Sequence, residues 1–253
     1  MKATCVNRIE GIAVALVAVL SLLGLFALAS PASLSAEPAT PPSPRWRTYH
    51  AAFEPGDASV TELPGAALVA GRRGRALRLG KGGGLPELTR QGVVDLSRPG
   101  AITCWIRPVD WQAPGPSSEY VPVIRVLGRG AAVLIVERDR RSPGRLVDVW
   151  IAGYFSLVSR GEIQMQRELG SLWSNDGWHF LVFQWDSTGF SLQIDDSGPA
   201  RTAVPAADLA SEFPKATSKL VIGSDTREGL LVDELSVWSR PLESRELKAL
   251  RVN

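Results

Sequence analysis

The chain has 253 residues, of which 45% are hydrophobic and 7% aromatic. Its 28 Lys and Arg residues against 26 Asp and Glu residues leave a formal net charge of +2. A balance this close to neutral creates no global positive field, so the composition excludes a protein whose main partner is nucleic acid. The two cysteines, Cys5 and Cys104, are too few for a disulfide-rich scaffold.

The N-terminus predicts export. Lys2 and Arg8 precede an uninterrupted apolar run at residues 12–29, and Ala27 and Ala29 have the A-x-A spacing of a signal peptidase site. As a helix this run would span roughly 27 Å, the lower edge of what crosses a bilayer. We therefore predict that residues 1–29 are a signal peptide, or alternatively an uncleaved signal anchor. Either fate sends the protein outward, so it is secreted, periplasmic or held at the outer surface.

Two further segments follow the export segment. Residues 30–44 consist mainly of Pro, Ala, Ser and Thr and predict a disordered linker. Residues 45–253 have the length of one all-β sandwich or barrel domain. Beyond the export segment only Cys104 remains, so no internal disulfide can stabilise the domain. Strand alternation puts Cys104 on the same side as Ile102 and Ile106, which predicts a buried, inert thiol.

Hydrophobic residues in the body of the chain alternate with a period of two, the pattern of β-strands. Gly, Pro, Asn and Asp separate the apolar stretches, and helical pattern is confined to residues 243–250, with a possible turn near 206–212. No helices are available to connect parallel neighbours, which predicts an antiparallel two-sheet sandwich. The predicted strands are residues 101–107, 120–127, 131–137, 146–152, 178–186, 190–195, 219–223 and 230–238.

Four segments carry a family resemblance, and they occur in the order that the family requires. Residues 74–79 read Gly-Arg-Ala-Leu-Arg-Leu, and residues 94–108 lead from a Gly turn into a strand that ends Trp-Ile-Arg-Pro. Residues 176–198 combine Gly-Trp-His with a hairpin that ends in a turn one or two residues longer than the usual Asp-Gly. Residues 221–250 combine Val-Asp-Glu-Leu, an Arg-Pro turn and a short helix. Together these segments resemble the laminin G-like, concanavalin A-like jelly rolls.

The resemblance implies an all-β, antiparallel two-sheet jelly-roll sandwich, preceded here by the apolar signal or anchor helix. It also implies a non-catalytic binding module, and many jelly rolls of this kind carry a calcium ion. Asp233 matches the family carboxylate on the last strand, and Glu54 stands where an acid, more often Asp, follows the first strand. Antiparallel packing of the first and last strands would bring these two acids together. Gly56 or Asp57 would have to add oxygens, because calcium takes six to eight. The alternative is that Asp233 only accepts hydrogen bonds from a neighbouring amide and Glu234 is solvated.

Aromatic residues outside the family segments are the candidates for sugar binding. A sugar ring needs a flat apolar face beside a few hydrogen-bonding groups. Trp105, Trp178 and Trp185 belong to regular strands and are expected to pack in or against the sheets. Ordinary packing under loops is the alternative for each candidate. The predicted ligand-binding residues are Trp111, Trp150, Tyr154, Arg160 and Trp173.

No catalytic pattern occurs in the sequence. Glycosidases of this sandwich type place two carboxylates on one strand face in a Glu-x-Asp-x-Glu spacing, which this chain lacks. Neither histidine, His50 or His179, belongs to a zinc spacing or a serine nucleophile elbow. The sequence therefore predicts an exported binding module for a glycan. The alternatives are an envelope module that binds a cell-surface protein and, third, a degenerate glycosidase.

Overall fold

The computed structural model describes residues 39–57, 67–80, 82–83, 87–109, 119–139, 148–158, 161–169, 173–174, 176–223 and 229–252. The predicted export segment and most of the predicted linker lie outside these residues. Within the described part of the chain, no helix is long and apolar enough to cross a membrane.

The described residues form two antiparallel sheets. One sheet has the strand order β12-β11-β10-β5-β14-β3-β2, with β1 also paired to β14, and the other has the order β4-β13-β6-β7-β8-β9. The strands of the first sheet are β1 (Arg47–Ala51), β2 (Ala67–Ala70), β3 (Arg75–Leu79), β5 (Gly100–Val109), β10 (His179–Asp186), β11 (Gly189–Ile194), β12 (Ala200–Ala203) and β14 (Gly229–Trp238). Those of the second are β4 (Glu87–Gln91), β6 (Glu119–Leu127), β7 (Ala131–Asp139), β8 (Asp148–Leu157), β9 (Gly161–Glu168) and β13 (Lys219–Gly223).

Helical structure is sparse in the described residues. A 3-10 turn, Pro44–Trp46, precedes β1, and two α-helices follow later, α1 (Ala206–Glu212) and α2 (Ser244–Val252). The predicted all-β sandwich of two antiparallel sheets is confirmed. Helix α2 forms where the sequence showed a helical pattern, at residues 243–250. The structure differs from the prediction in two respects. Residues 206–212 form a helix and not only a turn, and the strands β2, β4, β9 and β12 were not predicted. Strand β9 is mostly exposed, so its polar sequence lacks the apolar alternation that marks a buried strand.

The main core lies between the two sheets. Phe155 from the six-stranded sheet stacks on Phe190 of the eight-stranded sheet, with ring centroids 4.1 Å apart and planes 11° apart. Phe183 stacks on Phe190 from the neighbouring strand at 5.3 Å. Cys104 is completely buried in this core, and burial raises the pKa of its thiol to about 12. The thiol is therefore inert at neutral pH, as the strand alternation predicted.

A second apolar layer covers the outer face of the eight-stranded sheet. Trp105 and Trp238 project onto this face and pack with residues that include Leu242 and, from α2, Leu247. Four arginines of the described residues place their guanidinium groups over tryptophan rings on this side of the sheet, including Arg72 over Trp105 at 5.0 Å. Helix α2 and these arginines therefore seal a face that would otherwise expose large indole rings.

The segment before α2 is held by a charged contact that predicts a pH effect. Both Glu246 oxygens accept hydrogen bonds from Arg240, at 2.5 and 2.9 Å, and Oε2 also accepts the Glu243 amide at 2.9 Å. The Arg240 hydrogen bonds lower the pKa of Glu246 below its ordinary 4.5. A lowered pKa contributes stability that is present above the ordinary value and lost as the pH falls through the lowered one.

We expect Glu246→Gln to lower the free energy of unfolding by about 1 kcal/mol at about pH 7. The difference from wild type should shrink as the pH falls below the ordinary 4.5, because unfolded wild-type protein then binds a proton more readily than the folded protein does. Urea unfolding at about pH 7 and about pH 3.5 measures both values. Glu243→Gln, at a side chain that is 60% exposed, is the control. A difference that is the same at both pH values would contradict the assigned role of Glu246.

Candidate functional site

The pairing of β1 with β14 brings the two predicted metal-binding acids to one turn. Ala51 pairs with Leu235, so the chain just after β1 lies beside Asp233. A β-bulge interrupts the pairing of β14 with β5 immediately after Asp233, and Glu234 in it has φ of 51°. Both acids contact the turn between β2 and β3, residues 71–74. The sequence predicted that these acids meet, but it carried no sign that this turn joins them.

Each acid binds main-chain amides of this turn or of its flanks. Asp233 accepts a hydrogen bond from the Arg73 amide at Oδ2, 2.9 Å, and from the Glu234 amide at Oδ1, 2.8 Å. Glu54 Oε1 accepts the Arg75 amide at 2.9 Å. The hydrogen-bonding alternative for Asp233 is thus part of the observed geometry. These hydrogen bonds are compatible with a bound metal ion, since a carboxylate oxygen has more than one lone pair.

Two glycines allow the carboxylates to approach the turn this closely. A Cβ added at Gly74 would lie 1.8 Å from Glu54 Oε1, and one added at Gly71 would lie 2.7 Å from Asp233 Oδ2. Gly74 also has φ of 48°, in the left-handed region that favours glycine. Any larger residue at either position would push a carboxylate away from the turn.

The electrostatics of Asp233 suit a bound cation. Its accessible surface is 0%, and burial raises the pKa of this carboxyl to about 6 against the opposing effect of the Arg73 amide. No Lys or Arg side chain among the described residues forms an ion pair with it. The nearby guanidinium of Arg73 instead donates to the Leu250 carbonyl at 3.0 Å and lies 3.9 Å from Glu234. A buried carboxylate without a cationic partner is stabilised by a metal ion.

The remaining oxygens for a calcium ion would have to come largely from the main chain. Asp57 Oδ2 accepts the amides of Ala52 and Phe53 at 3.0 and 3.1 Å, so this carboxylate stabilises the turn after β1. Among the described residues, no three His, Cys, Asp or Glu side chains form a metal-binding group. Asp233 and Glu54 therefore supply a partial donor set that fits calcium only with added carbonyl oxygens or water.

A second arrangement lies on the six-stranded sheet. Trp150 pairs with Glu137 of β7 and Glu168 of β9, and Tyr154 pairs with Gln164 of β9. Directly paired residues share a face of a sheet, and so do residues two or four apart on one strand. The same alternation sends Phe155 to the core, so positions 150 and 154 occupy the outer face.

The neighbouring edge strand β9 adds amides to this outer face. Gln164 and Gln166 are both exposed, and Gln164 Nε2 donates to Gln166 Oε1 at 3.2 Å. These residues were not among the predicted ligand-binding residues, because β9 was not predicted. The signal that could have found them is the weak alternation of Ile163 and Met165 with polar neighbours in the printed sequence.

The other predicted ligand-binding residues have different positions. Trp111 and Arg160 lie outside the described residues. Trp173 is partly buried, packs against the core and stacks on His179, with ring centroids 4.2 Å apart and planes 7° apart. His179 is fixed by Asp195 Oδ2 at Nδ1, 2.7 Å, and by the Ser174 carbonyl at Nε2, 2.8 Å. One face of the Trp173 indole is thus covered.

Comparisons with known proteins identify shared folds. No family model matches the chain, and a search of curated proteins found no relative. Domain 4 of AbnA, a GH43 extracellular arabinanase from Geobacillus stearothermophilus in complex with arabinotriose, is 16% identical over 81% of this chain and 97% of that one, with a TM-score of 0.51. The binding domain of Paraclostridial Mosquitocidal Protein 1 is 12% identical over 74% of this chain, with a TM-score of 0.50.

A third structure, the binding domain of botulinum neurotoxin DC in complex with SialylT, is 9% identical over 73% of this chain, with a TM-score of 0.50. The chain spans 44–45% of the length of the two toxin structures. At these identities the likeness concerns the fold. The protein shares the two-sheet β-sandwich architecture of these domains.

Proposed function

We propose that this protein is an exported, non-catalytic module that binds glycans on the outer face of its six-stranded sheet. The observation that carries the proposal is the strand register, which gives Trp150 and Tyr154 a common face with the exposed amides of Gln164 and Gln166. Aromatic rings can pack against the apolar face of a sugar, and amides can both donate to and accept from its hydroxyls. A neutral oligosaccharide suits this set of groups best.

Two further lines support the proposal. The sequence motifs resemble laminin G-like jelly rolls, and two of the fold relatives were determined with bound ligands, arabinotriose and SialylT. Trp111 and Arg160 stay in the proposed ligand-binding set. Trp173 stays in it as well. An envelope module that binds a cell-surface protein remains the alternative, and the experiment below separates the two.

We expect Trp150→Ala and Tyr154→Ala each to weaken binding of a neutral oligosaccharide about tenfold, because one aromatic face contributes about 1 kcal/mol or more. Screening the full chain against immobilised neutral glycans, arabinotriose included, identifies a ligand, and calorimetry measures its affinity for each variant. Val158→Ala, at a side chain that is 79% exposed just after β8, is the control. Glycan binding that survives both aromatic substitutions would contradict the proposed site. Failure to bind any glycan would favour the protein-binding alternative.

We also propose that Asp233 and Glu54 hold a calcium ion beside the β2–β3 turn. When bound, the ion would supply positive charge to a carboxylate whose pKa is raised by burial. The two acids would then hold the β2–β3 turn through the ion as well as through hydrogen bonds to main-chain amides of the turn and its flanks. The proposed role of the ion is structural, because a calcium ion bound only by the folded protein raises the free energy of unfolding.

A further inference from the structure

A cleft at one end of the sandwich is separate from both sites described above. It has a volume of about 380 Å³ and lies where β14 ends and β5 begins. Its lining includes Trp46 and Trp238 together with Arg98 and Lys215. Small-ligand sites are commonly clefts of roughly 300–1,000 Å³, so this one suits a ligand of one or two rings.

The aromatic wall of the cleft is held in place from several sides. Trp46 is partly buried, and the guanidinium groups of Arg45 and Arg240 lie 4.8 and 5.8 Å from its ring centroid. The Ser239 hydroxyl donates to the Trp46 carbonyl at 3.1 Å, and the Thr48 hydroxyl donates to the Val237 carbonyl at 3.2 Å. Both hydroxyls line the cleft and retain lone pairs that can accept hydrogen bonds from a ligand.

The charged groups of the cleft are predominantly positive. Arg98 and Lys215 are exposed, and within the described part of the chain neither side chain forms an ion pair with a carboxylate. The one acid in the lining, Asp95, already accepts hydrogen bonds from the amide and hydroxyl of Ser97 at Oδ1. The Arg98 main chain is anchored, because its carbonyl accepts the Trp185 indole N–H at 2.6 Å. A fixed backbone thus presents a guanidinium beside an indole wall.

We propose that this cleft is a second saccharide site and that it takes a sugar carrying a carboxylate, of the uronic acid class. The Arg98 guanidinium can form a bidentate ion pair with a carboxylate, and Lys215 adds a second positive charge. Trp46 adds aromatic surface to the lining, against which the apolar part of a sugar can pack. A simple anion would use the cations and make no use of this aromatic surface. This inference does not depend on the site at Trp150 and Tyr154.

The test uses the full chain and three probes, sodium glucuronate, glucose and sodium sulfate. Glucuronate should bind and shift the indole N–H resonances of Trp46 and Trp238 in NMR spectra, assigned by single Trp→Phe substitutions. Glucose at the same concentration should shift them far less. Arg98→Gln and Lys215→Gln should each weaken glucuronate binding about fivefold, the size expected for one exposed charge contact. Lys248→Gln, at an exposed lysine of α2, should leave it unchanged.

The outcomes separate this proposal from the alternatives. Sulfate that competes as well as glucuronate would reduce the cleft to a general anion site and overturn the saccharide assignment. Glucuronate binding that ignores the Arg98 and Lys215 substitutions would overturn the location. The double variant Trp150→Ala, Tyr154→Ala should still bind glucuronate, while Arg98→Gln should still bind neutral oligosaccharides. The proposal for each site can therefore be refuted without refuting the other.

Discussion

Calcium is expected to raise the free energy of unfolding of this protein by about 2.7 kcal/mol when free calcium exceeds its Kd about a hundredfold. The physical reason is the position of Asp233, which is fully buried and accepts hydrogen bonds from main-chain amides. No cationic side chain among the described residues forms an ion pair with it. Burial, with a further contribution from the Glu234 charge, raises the pKa of this carboxyl, so a positive ion would relieve an unfavourable charge. Thermal and urea unfolding with calcium and with a chelator measure the effect.

Substitutions at two acids test whether the ion is bound where we propose. Asp233→Ala should abolish the calcium-dependent shift in unfolding, and Glu54→Gln should weaken it. Asp196→Ala should preserve the full shift, since that side chain is 87% exposed and contacts Arg251 at the surface. An unchanged midpoint on chelation of the wild-type protein would refute calcium binding and leave Asp233 as an acceptor of main-chain amides.

Phe155→Ala is expected to lower the free energy of unfolding by about 3–5 kcal/mol, the range for removing a buried phenylalanine ring. Phe155 is fully buried and stacks on Phe190 at 4.1 Å and on Phe183 at 6.3 Å, so one ring joins the two sheets. Its removal would leave a cavity at the centre of the sandwich, because neighbouring rings on rigid strands cannot collapse into it. Urea unfolding of the wild type and the variant gives the difference.

The controls for this substitution separate a core effect from a surface effect. Phe155→Leu should lower stability by less than Phe155→Ala, because leucine fills part of the space. Val158→Ala, three residues further along the chain and 79% exposed, should change it by less than about 0.5 kcal/mol. A loss below about 1 kcal/mol for Phe155→Ala would contradict the assigned packing between the sheets.

Much of the secondary structure could be predicted from local pattern. The period of two in residues 219–223 and 230–238 predicts strands that the structure contains as β13 and β14. It also predicts the burial of Cys104, because alternation is a property of a strand's own geometry. Strand β9 escaped prediction because it is an edge strand, whose exposed positions need no apolar residues.

The candidate sites could be predicted only in part. Asp233 and Glu54 were identified by resemblance, and the antiparallel pairing expected between first and last strands occurs. The role of Gly71 and Gly74 in admitting both carboxylates was not predictable, since it depends on contacts between segments far apart in the chain. Likewise, the sequence did not indicate that Trp46 and Arg98 line the same cleft, as they do in the structure.

By itself, the sequence determined the all-β class, the positions of most strands, the C-terminal helix and the burial of Cys104. These properties follow from local periodicity, which reports which side of each segment faces the core. Tertiary structure decided which strands pair. It paired position 150 with Glu168 and position 154 with Gln164 of β9, and it brought the turn at residues 71–74 to Asp233. Strand pairing is made by backbone groups that every residue possesses, so its register arises from the packing of the whole sandwich and not from a local code.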